Sequence, residues 1–176
     1  ICLSGANNIL KVAKYKTDIL VSAIVGFAGL IPTFASLGNT KVLAVANKES
    51  VISAGNLLMN EAFKKKTKII PLDSEHNAIF QILQNHNKES IKNIILTASG
   101  GPFWKKDLNQ LNKVSVKDAL RHPNWNMGKK ITIDSATLIN KLLEVIEASI
   151  LFDLSLDSIQ VLIHPTSLVH GIVNFI

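Results

Sequence analysis

The stretch Lys41-Val-Leu-Ala-Val-Ala-Asn-Lys-Glu-Ser50 combines a short apolar run with polar residues that follow it directly. Its first part, Lys41–Ala46, predicts a buried β-strand, because short apolar runs with polar boundaries are typical of strands covered on both faces. Outward from it, the same criteria predict two further strands and two helices: Asp18–Val25 (strand), Pro32–Leu37 (helix), Val51–Lys65 (helix) and Lys68–Leu72 (strand).

This alternation of strand and helix predicts an α/β fold with a parallel sheet and helical crossovers. Ligands of such sheets bind at the carboxyl ends of the strands. Gly26-Phe-Ala-Gly29 and Asn47-Lys-Glu-Ser50 both follow predicted strands. These two segments are therefore candidates for ligand contact.

The pattern changes after Leu72, and we place a domain boundary near Pro71. Asp73–Leu83 begins like a capped helix, and Phe103–Gly128 is polar and loop-rich. Asp134 or Ser135 is predicted to cap a long helix. The elements predicted for this second part are Ile94–Thr97 (strand), Lys130–Ile133 (short strand), Asp134–Phe152 (helix) and Ile159–Ile163 (strand).

Composition excludes several classes of protein. The 176 residues are 47% hydrophobic and 18% charged, which is typical of a globular chain. The net charge is +6, but the densest basic run, Lys64–Lys68, has no interleaved aromatic residues and predicts a solvated surface rather than a nucleic-acid site. The single cysteine, Cys2, excludes a disulfide framework and a cysteine-based zinc site, and indicates a reducing compartment.

The uncharged run Ile19–Thr40 is long enough to cross a membrane. Gly26, Gly29 and Pro32 interrupt it, so strand, turn and helix describe it better. The chain starts at Ile1 rather than Met and stops inside an apolar run. We therefore expect it to be a fragment of a longer protein.

Asp73 and Glu75 are the first candidates for chemistry. They follow a predicted strand and lie two residues apart, so in extended backbone they would point the same way. Two converging carboxylates need a cation, and oxygen ligands suit Mg²⁺ or Mn²⁺. The alternative is that both merely cap the following helix.

Two other segments are ambiguous by themselves. Ser99-Gly100-Gly101 follows a predicted strand and could surround an anion or form a plain turn. The helix Asp134–Phe152 could have a solvated polar face, or could form the floor of a site. It carries an apolar stripe of Leu138, Ile139, Leu142, Leu143 and Ile146, opposite Asn140, Lys141, Glu144 and Glu147.

Taken together, the motifs resemble the 1-deoxy-D-xylulose 5-phosphate reductoisomerase family. They occur in the order of that family and run through nearly the whole chain. The matching stretches are Ala23–Leu30, Ala46–Ser50, Pro71–Gln81, Ser99–Phe103, Arg121–Gly128, Asp134–Thr137, Asn140-Lys141 with Glu144, and Ile163–Ser167 with His170.

The resemblance implies a role for each matching position. It implies that Asp73, Glu75 and Glu144 bind Mn²⁺ or Mg²⁺, with Co²⁺ as an alternative. The residues implied for the substrate phosphate or the groups near it are Ser99, His122, Ser135, Asn140 and Lys141. Those implied for the remaining contacts are Lys48 and Ser74 (substrate backbone), Asn47, Glu49 and Gly128 (NADPH), and Trp125 and Met127 (a lid over the substrate).

The implied fold is the C-terminal part of a Rossmann-like NADPH-binding domain, residues 1–71, followed by an α+β catalytic domain, residues 72–176. The implied reaction rearranges a phosphorylated sugar and reduces the resulting aldehyde with NADPH, on the non-mevalonate route to isoprenoids. We further expect a homodimer when full-length, no nucleic-acid or membrane partner, and a bacterial cytoplasm, with a plastid-like organelle as the alternative.

The chain departs from the family pattern at four points. Leu142 occupies a place where the family usually has glycine, which would add bulk beside Lys141 and Glu144, and Phe27 replaces a small residue. The glycine-rich turn that grips the NADPH pyrophosphate should precede Ile1. The C-terminal helical domain is missing as well, so we expect the isolated chain neither to bind NADPH tightly nor to turn over.

Two other functions remain open from the residues themselves. One is a metal-dependent phosphosugar lyase or aldolase, which the βαβ pattern and Asn47-Lys-Glu49 argue against. The other is a non-catalytic domain that binds phosphorylated ligands or nucleic acid. Binding of DNA with a strong salt dependence would favour this last hypothesis.

Overall fold

Three parallel strands form the first sheet and confirm the α/β pattern of the first part. In the computed structural model, which describes residues 4–121 and 128–176, the strands are β1 (Thr17–Ser22), β2 (Thr40–Val45) and β3 (Lys68–Pro71), in the order β1-β2-β3. Ser22 pairs with Val45, and Val45 pairs with Pro71. The three strands therefore end at one edge of the sheet, and the residues that follow them lie side by side.

Four helices accompany this sheet: α1 (Ala6–Ala13), α2 (Leu30–Ser36), α3 (Lys48–Ala54) and α4 (Asn56–Lys64). The prediction of one helix over Val51–Lys65 is wrong, because Gly55 separates α3 from α4. Gly55 has φ 52° and ψ −139°, a conformation that residues with a side chain rarely adopt. Strand β1 is also shorter than predicted, since it ends at Ser22 and not at Val25.

A second sheet of three strands has β4 (Ile91–Ala98) at its centre. It pairs with β5 (Ile159–Ile163) in parallel and with β6 (Gly171–Phe175) in antiparallel. Strand β4 is longer than predicted, β5 has the predicted bounds, and β6 was not predicted. Because Ala98 pairs with Ile163, the segments that begin at Ser99 and His164 leave this sheet at the same edge.

The described residues of the second part form five α-helices: α5 (Ser74–Leu83), α6 (Leu108–Leu111), α7 (Val116–Ala119), α8 (Lys129–Ala136) and α9 (Ile139–Phe152). The predicted strand Lys130–Ile133 is wrong, because these residues belong to α8. The alternation of Ile131 and Ile133 resembled a strand, but Thr132 is buried between them and its hydroxyl donates to the carbonyl of Gly128 over 2.9 Å. An ion pair of 2.7 Å between Lys130 and Asp134, one turn apart, also stabilises the helix.

The single helix predicted for Asp134–Phe152 is likewise wrong. Leu138 has φ 60°, in the left-handed region, and it separates α8 from α9. Asp134 and Ser135 therefore lie in the last turns of α8 and cap no helix at its N-terminus.

Helix α9 joins the two sheets. Ile150 and Leu151 pack on the core of the first sheet, around Leu43 and Leu58. Ala148 belongs to the core of the second sheet. The other face of α9 is thereby held where residues from both sheets can reach it. Among the described residues, no helix has the length and apolar character needed to cross a membrane.

Candidate metal and phosphate site

Asp73 and Glu75 lie where β3 passes into α5. Asp73 is the N-cap of α5, and its carboxylate accepts a hydrogen bond of 3.2 Å from the backbone N–H of Glu75. The prediction of an extended backbone is therefore wrong at this point, because Glu75 is already in the first helical turn. The helix-cap interpretation is correct for Asp73, yet its carboxylate still faces that of Glu75.

The polar face of α9 is buried rather than solvated. Lys141, Glu144 and Glu147 are 6%, 2% and 2% exposed, whereas Leu142 is 54% exposed. The interpretation of this helix as a solvated surface is thus wrong, and the interpretation as the floor of a site is supported. Leu142 points away from Lys141 and Glu144, so its bulk does not enter the space between them.

Three carboxylates from two helices converge. Asp73, Glu75 and Glu144 each offer an oxygen, and these oxygens lie within 4.8 Å of one another. Within the described residues, Glu144 Oε2 is buried without a hydrogen bond of regular geometry, although the ammonium group of Lys141 lies beside it. Carboxylate oxygens at this spacing fit a hard divalent cation such as Mg²⁺ or Mn²⁺.

Two lysines contact the same carboxylates. Lys141 Nζ lies 2.6 Å from Glu75, and Lys48 Nζ lies 3.3 Å from Glu144 and also pairs with Asp73. When all three carboxylates are ionised, they exceed the two ammonium groups by one negative charge in a buried place. That remaining charge is a reason for the group to attract a cation.

The carboxylates differ in acidity because their surroundings differ. Burial, and after it the charge of Asp73, raises the pKa of Glu144 to about 7. Burial also acts to raise the pKa of Asp73, but the positive charges around that carboxylate, Lys48 first among them, together outweigh burial and lower its pKa to about 2. Asp73 is therefore charged near neutral pH, while Glu144 is the carboxylate that exchanges a proton there.

A cavity of about 220 Å³ adjoins the carboxylates. It brings together most of the residues predicted for the phosphate: Ser99, Ser135, Asn140 and Lys141. Ser74 also lines it, and its hydroxyl donates to Glu75 over 2.5 Å. Metal-binding and phosphate-binding candidates thus share one space.

Glycines allow the loop after β4 to meet α8 closely. Gly101 has φ 69°, and a Cβ there would lie 2.6 Å from the backbone oxygen of Ser135. The N–H of Gly101 points back to the Ser99 hydroxyl, at 3.3 Å. The close approach places Ser99 and Ser135 at the same cavity, as the anion-binding interpretation of Ser99-Gly100-Gly101 requires.

A second cavity, of about 450 Å³, lies at the carboxyl edge of the first sheet. Asn47, Glu49 and Gly128, the residues predicted for NADPH, all line it together with Lys48. Asp73 and Asn140 line both cavities, so the two spaces meet beside the carboxylates.

The polar groups of this second cavity are ordered by the protein itself. The side chain of Asn47 caps α3 by accepting from Ser50 N–H over 2.8 Å, and it donates to the carbonyl of Gly26 over 2.9 Å. Glu49 pairs with Lys130 over 2.8 Å, which joins α3 to α8 across the opening. The walls are therefore fixed by contacts between distant parts of the chain.

Comparison with known proteins decides the family. Residues 1–55 match the family model described as 1-deoxy-D-xylulose 5-phosphate reductoisomerase, and residues 69–152 match the model of its C-terminal domain. The chain belongs to the 1-deoxy-D-xylulose 5-phosphate reductoisomerase family. The resemblance inferred from the ordered motifs is thereby confirmed.

Individual reductoisomerases are similar over the whole chain. The protein of this name from Wolbachia pipientis wMel is 56% identical over 97% of this chain and 43% of its own length. The one from Caldanaerobacter subterraneus subsp. tengcongensis is 51% identical over 99% of this chain and 46% of its own length. The chain thus spans about half the length of the curated relatives it matches.

A solved reductoisomerase shares the fold. The crystal structure of DOX-P reductoisomerase in complex with NADPH, fosmidomycin and magnesium superimposes with a TM-score of 0.90 and 47% identity, over 98% of this chain and 45% of that one. The α/β fold class predicted from the alternating elements is confirmed.

Three predicted residues cannot be placed. His122, Trp125 and Met127 lie outside the described residues, so their roles stay predictions. Conversely, the first cavity is also lined by Thr97, Ser167 and His170, to which sequence reasoning assigned no role. Their positions in the sequence could have indicated them. Thr97 lies at the end of β4, and the other two follow β5 in the stretch that matches the reductoisomerase family.

Proposed function

We propose that the chain carries the metal- and substrate-binding core of an enzyme that converts 1-deoxy-D-xylulose 5-phosphate to 2-C-methyl-D-erythritol 4-phosphate with NADPH, for isoprenoid synthesis. The observation that carries the proposal is the convergence of Asp73, Glu75 and Glu144 beside a cavity lined by phosphate-binding candidates. Residues 1–71 would belong to the NADPH-binding domain and residues 72–176 to the catalytic domain.

In this proposal Asp73, Glu75 and Glu144 hold Mg²⁺ or Mn²⁺, with Co²⁺ as an alternative. The bound ion supplies a Lewis acid for the oxygens of the substrate. Lys48 lines the second cavity and contacts Asp73 and Glu144, which line the first, so it would be placed to donate to a substrate hydroxyl or carbonyl oxygen. The magnesium in the similar solved structure supports this assignment.

The phosphate of the substrate would lie among Ser99, Ser135, Asn140 and Lys141, with His122 as a further ligand and Ser74 nearer the metal. Hydroxyl, amide and ammonium donors are the groups that bind phosphate oxygens. Binding a remote phosphate orients the reacting carbons, which is the usual use of binding energy far from the chemistry. Trp125 and Met127 are proposed for a lid that excludes water.

NADPH would enter the second cavity, along Asn47, Glu49 and Gly128. The cavity has an apolar wall of Ala23, Val25 and Ala46, which suits a flat nicotinamide ring. Because the two cavities share Asp73 and Asn140, a hydride donor in one would lie next to a substrate in the other. The NADPH of the similar solved structure is in agreement with this arrangement.

The relatives and the solved structure give no support to a phosphosugar lyase or aldolase, or to a non-catalytic phosphate- or nucleic-acid-binding domain. We propose a phosphorylated sugar as the partner and no nucleic acid or membrane. A homodimer is proposed for the full-length protein. A bacterial cytoplasm is proposed as well, because the similar proteins named above come from bacteria.

The proposal predicts the activity of the longest gene product that contains these residues. With 1-deoxy-D-xylulose 5-phosphate and Mn²⁺ present, it should oxidise NADPH, and removal of the metal by a chelator should stop the reaction. Absorbance at the NADPH band measures the rate. Cleavage of the substrate without NADPH would instead identify a lyase, and a rate that is insensitive to the chelator would contradict the metal site.

The raised pKa values predict how the stability of the metal-free protein depends on pH. Glu144 and Glu147 both have a pKa near 7, mainly through burial, against an ordinary 4.5. The folded state therefore keeps protons that the unfolded chain releases, and the free energy of unfolding should fall as the pH rises from 4.5 to 7. Each group contributes at most about 1.4 kcal/mol per pH unit.

Urea unfolding at several pH values measures this dependence. Saturating Mn²⁺ should remove the contribution of Glu144 to the pH dependence, because a bound ion favours its charged form. Glu147→Gln should remove the contribution of Glu147. Asp73 acts oppositely, since its lowered pKa of about 2 stabilises the fold above 3.8 and loses this effect only as the pH falls towards 2. A free energy of unfolding that rises between pH 4.5 and 7 would contradict the raised pKa values of Glu144 and Glu147.

A further inference from the structure

A buried histidine lies behind the carboxylate cluster. His76, in the first turns of α5, is fully buried, and its Nε2 lies 2.8 Å from the backbone carbonyl oxygen of Glu144. A carbonyl oxygen can only accept, so Nε2 carries the hydrogen. This bond joins the helix that begins beside Asp73 to the turn of α9 that carries Glu144.

The other ring nitrogen faces two carboxylates. His76 Nδ1 lies 3.5 Å from Asp73 Oδ1 and 3.3 Å from Glu147 Oε2. Among the residues that the structure describes, Nδ1 and Glu147 Oε2 are buried without a hydrogen bond of regular geometry. Glu147 stands three residues after Glu144, on the same buried face of α9.

His76 therefore contacts both chain segments that supply metal ligands. Its Nε2 binds the backbone carbonyl of Glu144, and its Nδ1 lies beside the side chains of both Asp73 and Glu147. Neither His76 nor Glu147 is among the residues that line the two cavities, so neither is placed to contact a substrate or the ion. Their position is between the ligands and the core.

We infer that His76 and Glu147 are positioning residues that set the spacing of Asp73 and Glu144, and through it the affinity of the site for a divalent ion. The inference rests on the proposed metal site. Buried polar side chains in this place are costly, and an apolar pair could fill the same space without that cost. Groups that hold a ligand in place from outside the coordination sphere alter metal affinity by ~10–100-fold.

The test uses the longest gene product and Mn²⁺ alone as the probe. His76→Leu keeps the bulk and removes both polar contacts, so the Kd for Mn²⁺ should rise by ~10–100-fold. Glu147→Leu should raise it as well, and Glu147→Gln, which can still hydrogen-bond to the ring, should lie between Glu147→Leu and wild type. Electron paramagnetic resonance of free and bound Mn²⁺ measures both the affinity and the ligand symmetry.

Ile79→Ala is the matched control. Ile79 is fully buried on the same helix, one turn after His76, but it packs in the core of the second sheet. This variant should lose stability and keep the Mn²⁺ affinity and spectrum of wild type, which separates positioning from general destabilisation.

Two outcomes would overturn the inference. One is a folded His76→Leu protein with the wild-type Kd and spectrum. The other, which decides the matter if His76→Leu does not fold, is a Glu147→Leu protein with the wild-type Kd. A wild-type protein that binds no Mn²⁺ would instead contradict the proposed metal site itself, and the two failures are thereby distinguishable.

Discussion

Replacing Glu144 by glutamine is expected to weaken Mn²⁺ binding by at least ~100-fold, the upper end of the effect of changes outside the coordination sphere. Glu144 is buried beside Asp73 and Glu75, and its carboxylate carries charge that an amide lacks. The amide would also bring donor hydrogens towards a cation. Titration of Mn²⁺ into the protein, followed by electron paramagnetic resonance, measures the change.

The control for this prediction is Glu61→Gln. It makes the same chemical change on α4, where the partly exposed Glu61 forms an ion pair with Lys65 at 3.3 Å. We expect it to leave Mn²⁺ binding unaltered. Equal affinities of wild type and Glu144→Gln for Mn²⁺ would show that Glu144 is not a metal ligand. A nucleic-acid-binding domain would also be expected to give equal affinities.

Replacing Lys48 by methionine is expected to lower the free energy of unfolding of the metal-free protein by about 3–5 kcal/mol. Lys48 is largely buried, and its ammonium group pairs with Asp73 and lies 3.3 Å from Glu144. Methionine retains the length of the side chain but removes the charge, so two buried carboxylates lose a partner. Mn²⁺ should restore part of the loss, because it supplies positive charge to the same carboxylates.

Urea unfolding with and without Mn²⁺ measures both effects. Lys41→Met on β2 is the control, since Lys41 forms a 2.7 Å ion pair with Asp18 in which both side chains are about 80% exposed. Ion pairs of that kind contribute little to stability. If Lys48→Met were no more destabilising than Lys41→Met, the ion pairs of Lys48 with Asp73 and Glu144 would not stabilise the fold as predicted.

The sequence predicted the first sheet well because its strands read as short apolar runs, although only the central strand β2 is largely buried, whereas Ile19 and Val21 of β1 are exposed. It predicted the second part less well, for two separate reasons. The alternation of Ile131 and Ile133 fits a strand, and only the burial of Thr132 and the pair Lys130–Asp134 show why the segment is helical. The left-handed backbone at Leu138 had no signal in the sequence, because residues other than glycine rarely adopt this conformation.

Helix α9 shows most clearly why the site could not be derived from pattern alone. Its periodicity separates an apolar stripe from a polar one, and the usual expectation buries the apolar stripe. Here Lys141 and Glu144 are buried and Leu142 is exposed. Charges can be buried only when partners arrive from elsewhere, and Lys48, Asp73 and Glu75 come from other elements of the fold.

Sequence and tertiary structure each contributed to what is known of the three carboxylates. The ordered motifs by themselves determined the family, and they predicted the kind of ion and the residues that would hold it, because residue type and order along the chain are properties of sequence. Only the tertiary structure decided that Asp73, Glu75 and Glu144 meet, that two lysines neutralise part of their charge, and that His76 contacts Asp73, Glu147 and the backbone of Glu144. The physical reason is that proximity, burial and charge balance arise between segments that lie 25 to nearly 100 residues apart, such as Lys48 with Asp73 and Lys48 with Glu144, and no local pattern predicts them.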